Sequence, residues 1–251
     1  MHYSVCVPAV FRNRKAQEAL KEICDCDLTA FELWSWWDQD LEAIAAEQKK
    51  LGLKATAICT RFIPLNDPKQ RDAYIEGLRE SIVAAKKLQC GMLISQVGQD
   101  VGTDRSEQHR AIVEGLKACV PILEAEDMML VIEPLNTLLD HRGYYLSSSL
   151  EGFDIVRAVG NHRIKLLFDI YHQQITEGNL IANITLGMDL IGHFHVAGVP
   201  GRHEPTANQE VNYPAVVSQI KALGYDRAIG LEYFPTGRAG DSLRAVIDYL
   251  P

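Results

Sequence analysis

The chain has 251 residues, 47% of them hydrophobic and 23% charged, an ordinary globular balance in a chain long enough to bury a large core without staples. Its formal net charge of -8 excludes a polyanion held by the overall field, so no nucleic-acid partner is expected. No apolar run approaches the roughly 20 residues of a membrane helix, and "MHYSVCVPAVFRNRK" lacks the order of a signal peptide, so a cytoplasmic protein with no membrane partner is expected.

In chain order, eight short apolar runs read as strands: 3–8, 28–34, 53–59, 91–97, 129–134, 164–169, 190–197 and 228–234. Several are apolar on both faces, as buried parallel strands are. Helical patterns lie between them. Ile75, Leu78, Ile82 and Ala85 make one stripe, and Ile112, Val113, Leu116, Cys119, Val120 and Leu123 another. Pro121 inside the second predicts a kink or an early break. "KKLGLK" and "KALGYD" read as helix ends stopped by glycine. Alternating strands and helices imply a parallel sheet, and about eight units predict an α/β fold, a single (β/α)8 barrel domain spanning 1–251. The open doubly wound alternative is disfavoured, because the turn after the first strand carries no GxGxxG. The six cysteines, none in a CxxC, read as reduced structural residues.

In such a barrel, function sits at the C-terminal ends of the strands. The last four runs end near Glu133 in "VIEPLN", Asp169 in "LLFDIYH", His195 in "GHFHVAG" and Glu232 in "GLEYF". All four side chains can bind a metal, and adjacent strand ends lie side by side. Glu133 and Glu232 are flanked by apolar residues, where a carboxylate must be paired, hydrogen-bonded or metal-bound. Three carboxylates and one imidazole suit one divalent ion, Mn2+ or Mg2+ first and Co2+ or Zn2+ next. His193, two residues before His195, shares its face of the strand.

"VIEPLN", "FDIYHQQ", "GHFHVAG" with "PGRHEP", and "GLEYFP" resemble the hydroxypyruvate isomerase-like members of the xylose-isomerase-like TIM-barrel superfamily. That superfamily also holds ketose 3-epimerases, inosose dehydratases and endonuclease IV. The resemblance implies a divalent metal on Glu133, Asp169, His195 and Glu232. It also implies proton transfer by Glu133 and Glu232, and substrate contacts from His172 and Arg202. In hydroxypyruvate isomerases the position of His195 is often glutamine, whereas the epimerases have histidine. A carboxylate that relatives carry after "EPLN" corresponds here to Asp140, in a shifted register.

A small hydroxycarbonyl substrate is therefore expected, isomerised through an enediolate with the two glutamates as acid and base. The alternatives are ketose 3-epimerisation on the same site, dehydration, and an endonuclease IV-like hydrolysis. The last is disfavoured because "AICTRF" and "ISQVG" end the third and fourth runs without a histidine. In the loop "GVPGRHEP", Arg202 offers a fork for a substrate carboxylate or polar tail. His203 reads as a solvated loop residue, and Glu204 as a partner of Arg202 or of substrate. Trp34, with Phe11, is expected to form an apolar wall. A homo-oligomer is compatible with all of this.

Overall fold

A computed structural model describes residues 1–251. Eight parallel strands close into a barrel in sequence order: β1 (His2–Cys6), β2 (Ala30–Leu33), β3 (Lys54–Cys59), β4 (Met92–Ser95), β5 (Met129–Ile132), β6 (Ile164–Asp169), β7 (Ile191–Val196) and β8 (Ala228–Leu231). Seven of the eight predicted runs contain a strand whole, and the first covers β1 except for His2. β2, β7 and β8 are buried along their whole length, which explains apolar runs without alternation. Most of the core lies between the strands and the surrounding helices. A smaller cluster of Ala57, Cys59, Ile94, Val131 and Leu167 comes from β3 to β6. Buried Ser4, Glu32 and His193 and half-buried Thr56 form a polar group joined by hydrogen bonds.

The predicted helix ends hold. Gly52 caps the helix Leu41–Leu51 in the left-handed conformation that a side chain would resist. The expected break at Pro121 does not occur, and the helix runs unbroken over Arg105–Ala125. Pro121 and Lys117, the residue whose carbonyl loses its amide partner, both face outward, so water can satisfy that carbonyl.

Strand register sets the level of the functional side chains. Asp169 lies opposite His195, and His195 opposite Gly230, two residues before Glu232. The ladder between β2 and β3 is irregular at Phe31/Glu32, a distortion that re-aims side chains.

Candidate active site

Glu133 and Glu232 lie one residue past β5 and β8, and Asp169 and His195 in the last turns of β6 and β7. All four are buried; Glu133, His195 and Glu232 line one side of a cavity of about 590 Å3 with His172 and Arg202, and Asp169 lies behind that lining, within reach of Glu133 and Glu232. Carboxylate oxygens of Glu133, Asp169 and Glu232 and one ring nitrogen of His172 fall within 4.8 Å of one another. His195 Nδ1 lies 3.9 Å from Glu133 Oε1 and 3.5 Å from Glu232 Oε2.

Two imidazoles thus border the carboxylates, and their hydrogen bonds give them different roles. His172 Nδ1 accepts from the backbone amide of Asn136 at 3.2 Å and lies 2.7 Å from its side-chain nitrogen. An accepting Nδ1 places the ring proton on Nε2, which points toward Asp169 Oδ2 at 3.6 Å and has no hydrogen-bond partner. His172 therefore presents a donor. Burial first, then the Arg202 charge, keeps its pKa well below the usual value, so it is neutral. His195 is the reverse case. Its Nε2 lies 2.9 Å from Glu32 Oε2 and donates to that carboxylate, and its unpartnered Nδ1 faces the site. His195 can present a lone pair there, whereas His172 cannot.

Asp169 does two jobs. Its Oδ1 caps the helix Ile170–Thr176, accepting from Tyr171 N at 2.8 Å and His172 N at 3.4 Å, and Oδ2 remains for the site. Glu232 is the most heavily engaged. Trp34 Nε1 donates to Oε1 at 2.5 Å, and the Arg202 guanidinium donates to Oε2. Glu133 Oε1 has no partner.

These surroundings push the carboxylates apart. Burial raises Glu133 well above the carboxylate range, and the charge of Glu232 adds to it. Burial and then Glu232 push Asp169 up to about 6. At Glu232 burial acts the same way, but His195 and Arg202 outweigh it and hold the group well below its usual value. At His195 burial opposes the charge, and the Glu232 and Glu32 carboxylates overcome it and raise the pKa well above normal.

The loop "GVPGRHEP" is tied down rather than solvated. Arg202 adopts a left-handed φ of 57° and is buried. Its amide bonds Gly198 O at 2.9 Å, and its carbonyl accepts from Phe234 N at 2.8 Å. The guanidinium stacks over Tyr171 and Phe234, and its buried Nε has no partner. His203, exposed as expected, donates through Nδ1 to Phe234 O at 2.9 Å. Glu204 is outside the cavity lining; it accepts from Thr236 N at 2.8 Å and fastens this loop to the segment after β8. No ion pair joins it to Arg202, whose carboxylate partner is Glu232. Phe11 is core, not wall. Trp34 does line the cavity. Asp140 lies outside the lining and buttresses it: Oδ2 accepts from Asn136 Nδ2 at 2.7 Å and Tyr171 OH at 2.8 Å, which steadies His172.

Sequence reasoning missed Glu32 and Asn136. "FELW" carried the same signal as "VIEPL" and "GLEYF", a glutamate flanked by apolar residues at the end of a run. Asn136, in "EPLN", acts through its amide on a ring 36 residues away, which spacing does not reveal.

The profile of the xylose isomerase-like TIM barrel family matches residues 20–250. The chain belongs to that family. It is 32% identical over 183 residues to hydroxypyruvate isomerase of Escherichia coli K12, covering 72% of this chain and 70% of the relative. It is 40% identical over 139 residues to 2-oxo-tetronate isomerase of Cupriavidus necator, covering 55% of this chain and 52% of the relative. With such relatives it is an enzyme of the isomerase type. Among solved structures it is similar to an AP endonuclease, family 2, from Brucella melitensis, with a TM-score of 0.93 at 24% identity over 100% of both chains. That likeness concerns the fold. No helix is long and apolar enough to cross a membrane.

Proposed function

We propose that this enzyme is a divalent-metal-dependent isomerase of a small hydroxycarbonyl compound, either hydroxypyruvate or a related keto-acid or ketose. The whole chain, 1–251, acts as one catalytic domain. The observation that carries the reading is the convergence of three buried carboxylates on an unpartnered Glu133 Oε1 and an unpartnered His195 Nδ1. Carboxylates buried this close together hold protons more tightly than they do in water, and a cation that displaces those protons would satisfy Glu133 Oε1 and His195 Nδ1 together. Oxygens of Glu133, Asp169 and Glu232 with His195 Nδ1 fit one divalent ion of the Mn2+, Mg2+, Co2+ or Zn2+ type. Such an ion would polarise the substrate carbonyl and offset the charge of an enediolate.

The chain's own groups account for the remaining chemistry. Glu232, held ionised by the Arg202 guanidinium, takes the proton from the carbon beside the carbonyl, and the C–H electrons become the C=C bond of the enediolate. Glu133, whose surroundings raise its affinity for a proton, returns a proton to the neighbouring carbon, and exchange with solvent restores both glutamates. The hydroxyl proton passes to the former carbonyl oxygen, so atoms balance without a co-reactant. The His172 Nε2–H and the Arg202 Nε–H, both buried and unpartnered, are donors for substrate oxygens. Trp34 shields the site and holds Glu232. Six unpaired cysteines support a reducing, cytoplasmic setting.

The test is NMR of candidate hydroxycarbonyl compounds with enzyme and Mg2+ in deuterated water. Deuterium should enter the carbon beside the carbonyl while the isomer accumulates. Inversion at one carbon would make the enzyme an epimerase, and loss of water a dehydratase. Cleavage of abasic DNA with no exchange in any hydroxycarbonyl compound would overturn the reading.

A further inference from the structure

Glu32 is the buried acid that the mechanism does not use. It enters from β2, two strands from β8 around the closed barrel, and is 1% exposed. Its Oε2 lies 2.9 Å from His195 Nε2 and its Oε1 3.1 Å from His193 Nε2. Thr56 Oγ1 adds a third contact at 3.1 Å to Oε1. A carboxylate only accepts, so both imidazoles donate to it through Nε2.

We propose that Glu32 is a positioning residue for His195: by taking the proton of Nε2 in a hydrogen bond, it fixes the ring so that Nδ1 faces the metal site. Two independent features of the chain support this. The irregularity in the β2–β3 ladder falls at Phe31/Glu32, where it aims Glu32 into the barrel. Gly230, opposite His195 on β8, leaves the space they need. A Cβ there would stand 2.5 Å from His195 Cδ2 and 2.9 Å from Glu32 Oε1. Glu32, His193 and His195 also bring ligand-type atoms within 4.8 Å of one another. Those nitrogens are the ones already donating to Glu32, so the trio is a clamp rather than a second metal centre. A carboxylate behind a coordinating imidazole sets which nitrogen binds and raises its basicity.

The inference rests on the metal-site reading above, and the experiment separates the two. Metal-free wild type and Glu32→Gln are titrated with Zn2+ against a chromophoric chelator at fixed pH, with unfolding midpoints recorded in parallel. An amide has one acceptor oxygen where two imidazoles donate, so the clamp is broken while shape is kept. The variant should bind Zn2+ roughly 10–100-fold more weakly. A purely structural role would lower the midpoint and leave the affinity of the folded protein unchanged. Equal affinity would remove Glu32 from the site but leave the site standing. No Zn2+ binding by wild type would overturn the metal reading itself. Should Glu32→Gln fail to fold, 15N NMR of the Zn2+-loaded wild type decides: His195 must carry metal on Nδ1 and a proton on Nε2, and coordination through Nε2 overturns the proposal.

Discussion

The two halves of the barrel mouth are made of opposite materials. The ends of β5 to β8 supply Glu133, Asp169, His195 and Glu232. Apart from the Glu32 carboxylate, which His193 and His195 hold, the ends of β1 to β4 supply uncharged groups to the same cavity: Cys6, Trp34, Cys59, Ile94 and Gln96. Burial raises the thiols of Cys6 and Cys59 well above their usual values, so they remain neutral. The uncharged half sets the strength of the charged half. It keeps water from the carboxylates, and the resulting burial is the largest influence on all three. What then separates Glu232 from Glu133 is neighbours within the charged half. Arg202 and Trp34 bond Glu232, whereas Glu133 Oε1 has no partner. Equal burial with unequal partners yields two glutamates of different character, which is what acid–base work needs.

The largest effect should come from removing the proton carrier in the charged half. Glu232→Gln preserves shape, one oxygen ligand and the acceptor for Arg202, but cannot take a proton. Turnover should fall by roughly 10²–10⁴-fold with metal still bound. Solvent exchange at the substrate carbon reports the first step separately. If Glu133 alone could remove the α-proton, exchange would survive while product formation failed. Wild-type turnover in the variant would erase the division of labour between the two glutamates.

A smaller effect follows from the burial that the uncharged half imposes. Asp169 is pushed up to about 6, so below that pH a proton competes with a cation for it. Apparent metal affinity should drop by about tenfold per pH unit below about 6 for each proton released, with Glu133 and His195, both raised, extending the dependence above that pH. The same shift has a counterpart in the metal-free protein. A carboxylate raised from 3.8 keeps its proton longer folded than unfolded. Its contribution to stability is complete below about 3.8 and is lost as pH rises through about 6. Chelator competition from pH 5 to 8 measures the first effect and thermal melts of the apo-protein the second. A flat affinity profile would take Asp169 out of the ligand set.

Much of this contrast was legible in the sequence, and the reasons are physical. Several of the eight runs are apolar on both faces, as buried central strands are, and their even spacing leaves room for one helix each, so the barrel followed. The charged half was legible because a carboxylate among apolar neighbours, as at Glu133, must be compensated. The same rule applied to Glu32 in "FELW", yet that residue stood apart from the others in chain order, and only barrel closure brings it to His195. Glu204 and Arg202 part for the opposite reason. It follows Arg202 by two residues, but the turn that buries Arg202 sends Glu204 away to Thr236. Chain proximity predicts shared function poorly where a residue takes a left-handed conformation.

The smallest effect tests whether the uncharged half is only a wall. Trp34 supplies both a surface and one donor, Nε1 to Glu232 Oε1 at 2.5 Å, and its ring meets Phe234 edge-on at 6.5 Å between centroids. Trp34→Phe keeps an aromatic surface and deletes the donor. Glu232 retains the Arg202 bond and the His195 charge, which are larger influences on it than Trp34. A hydrogen bond to a charged group contributes about 1.5–3 kcal/mol when nothing replaces it, but water entering beside a smaller ring can replace much of it. Turnover should therefore fall less than tenfold, metal affinity should hold, and KM should move little. Losing the donor also raises the pKa of Glu232, so the acid limb of the pH–rate profile should shift upward. A loss as deep as that of Glu232→Gln would place Trp34 within the chemistry, and the boundary between a reacting half and a shielding half would have to be redrawn through β2.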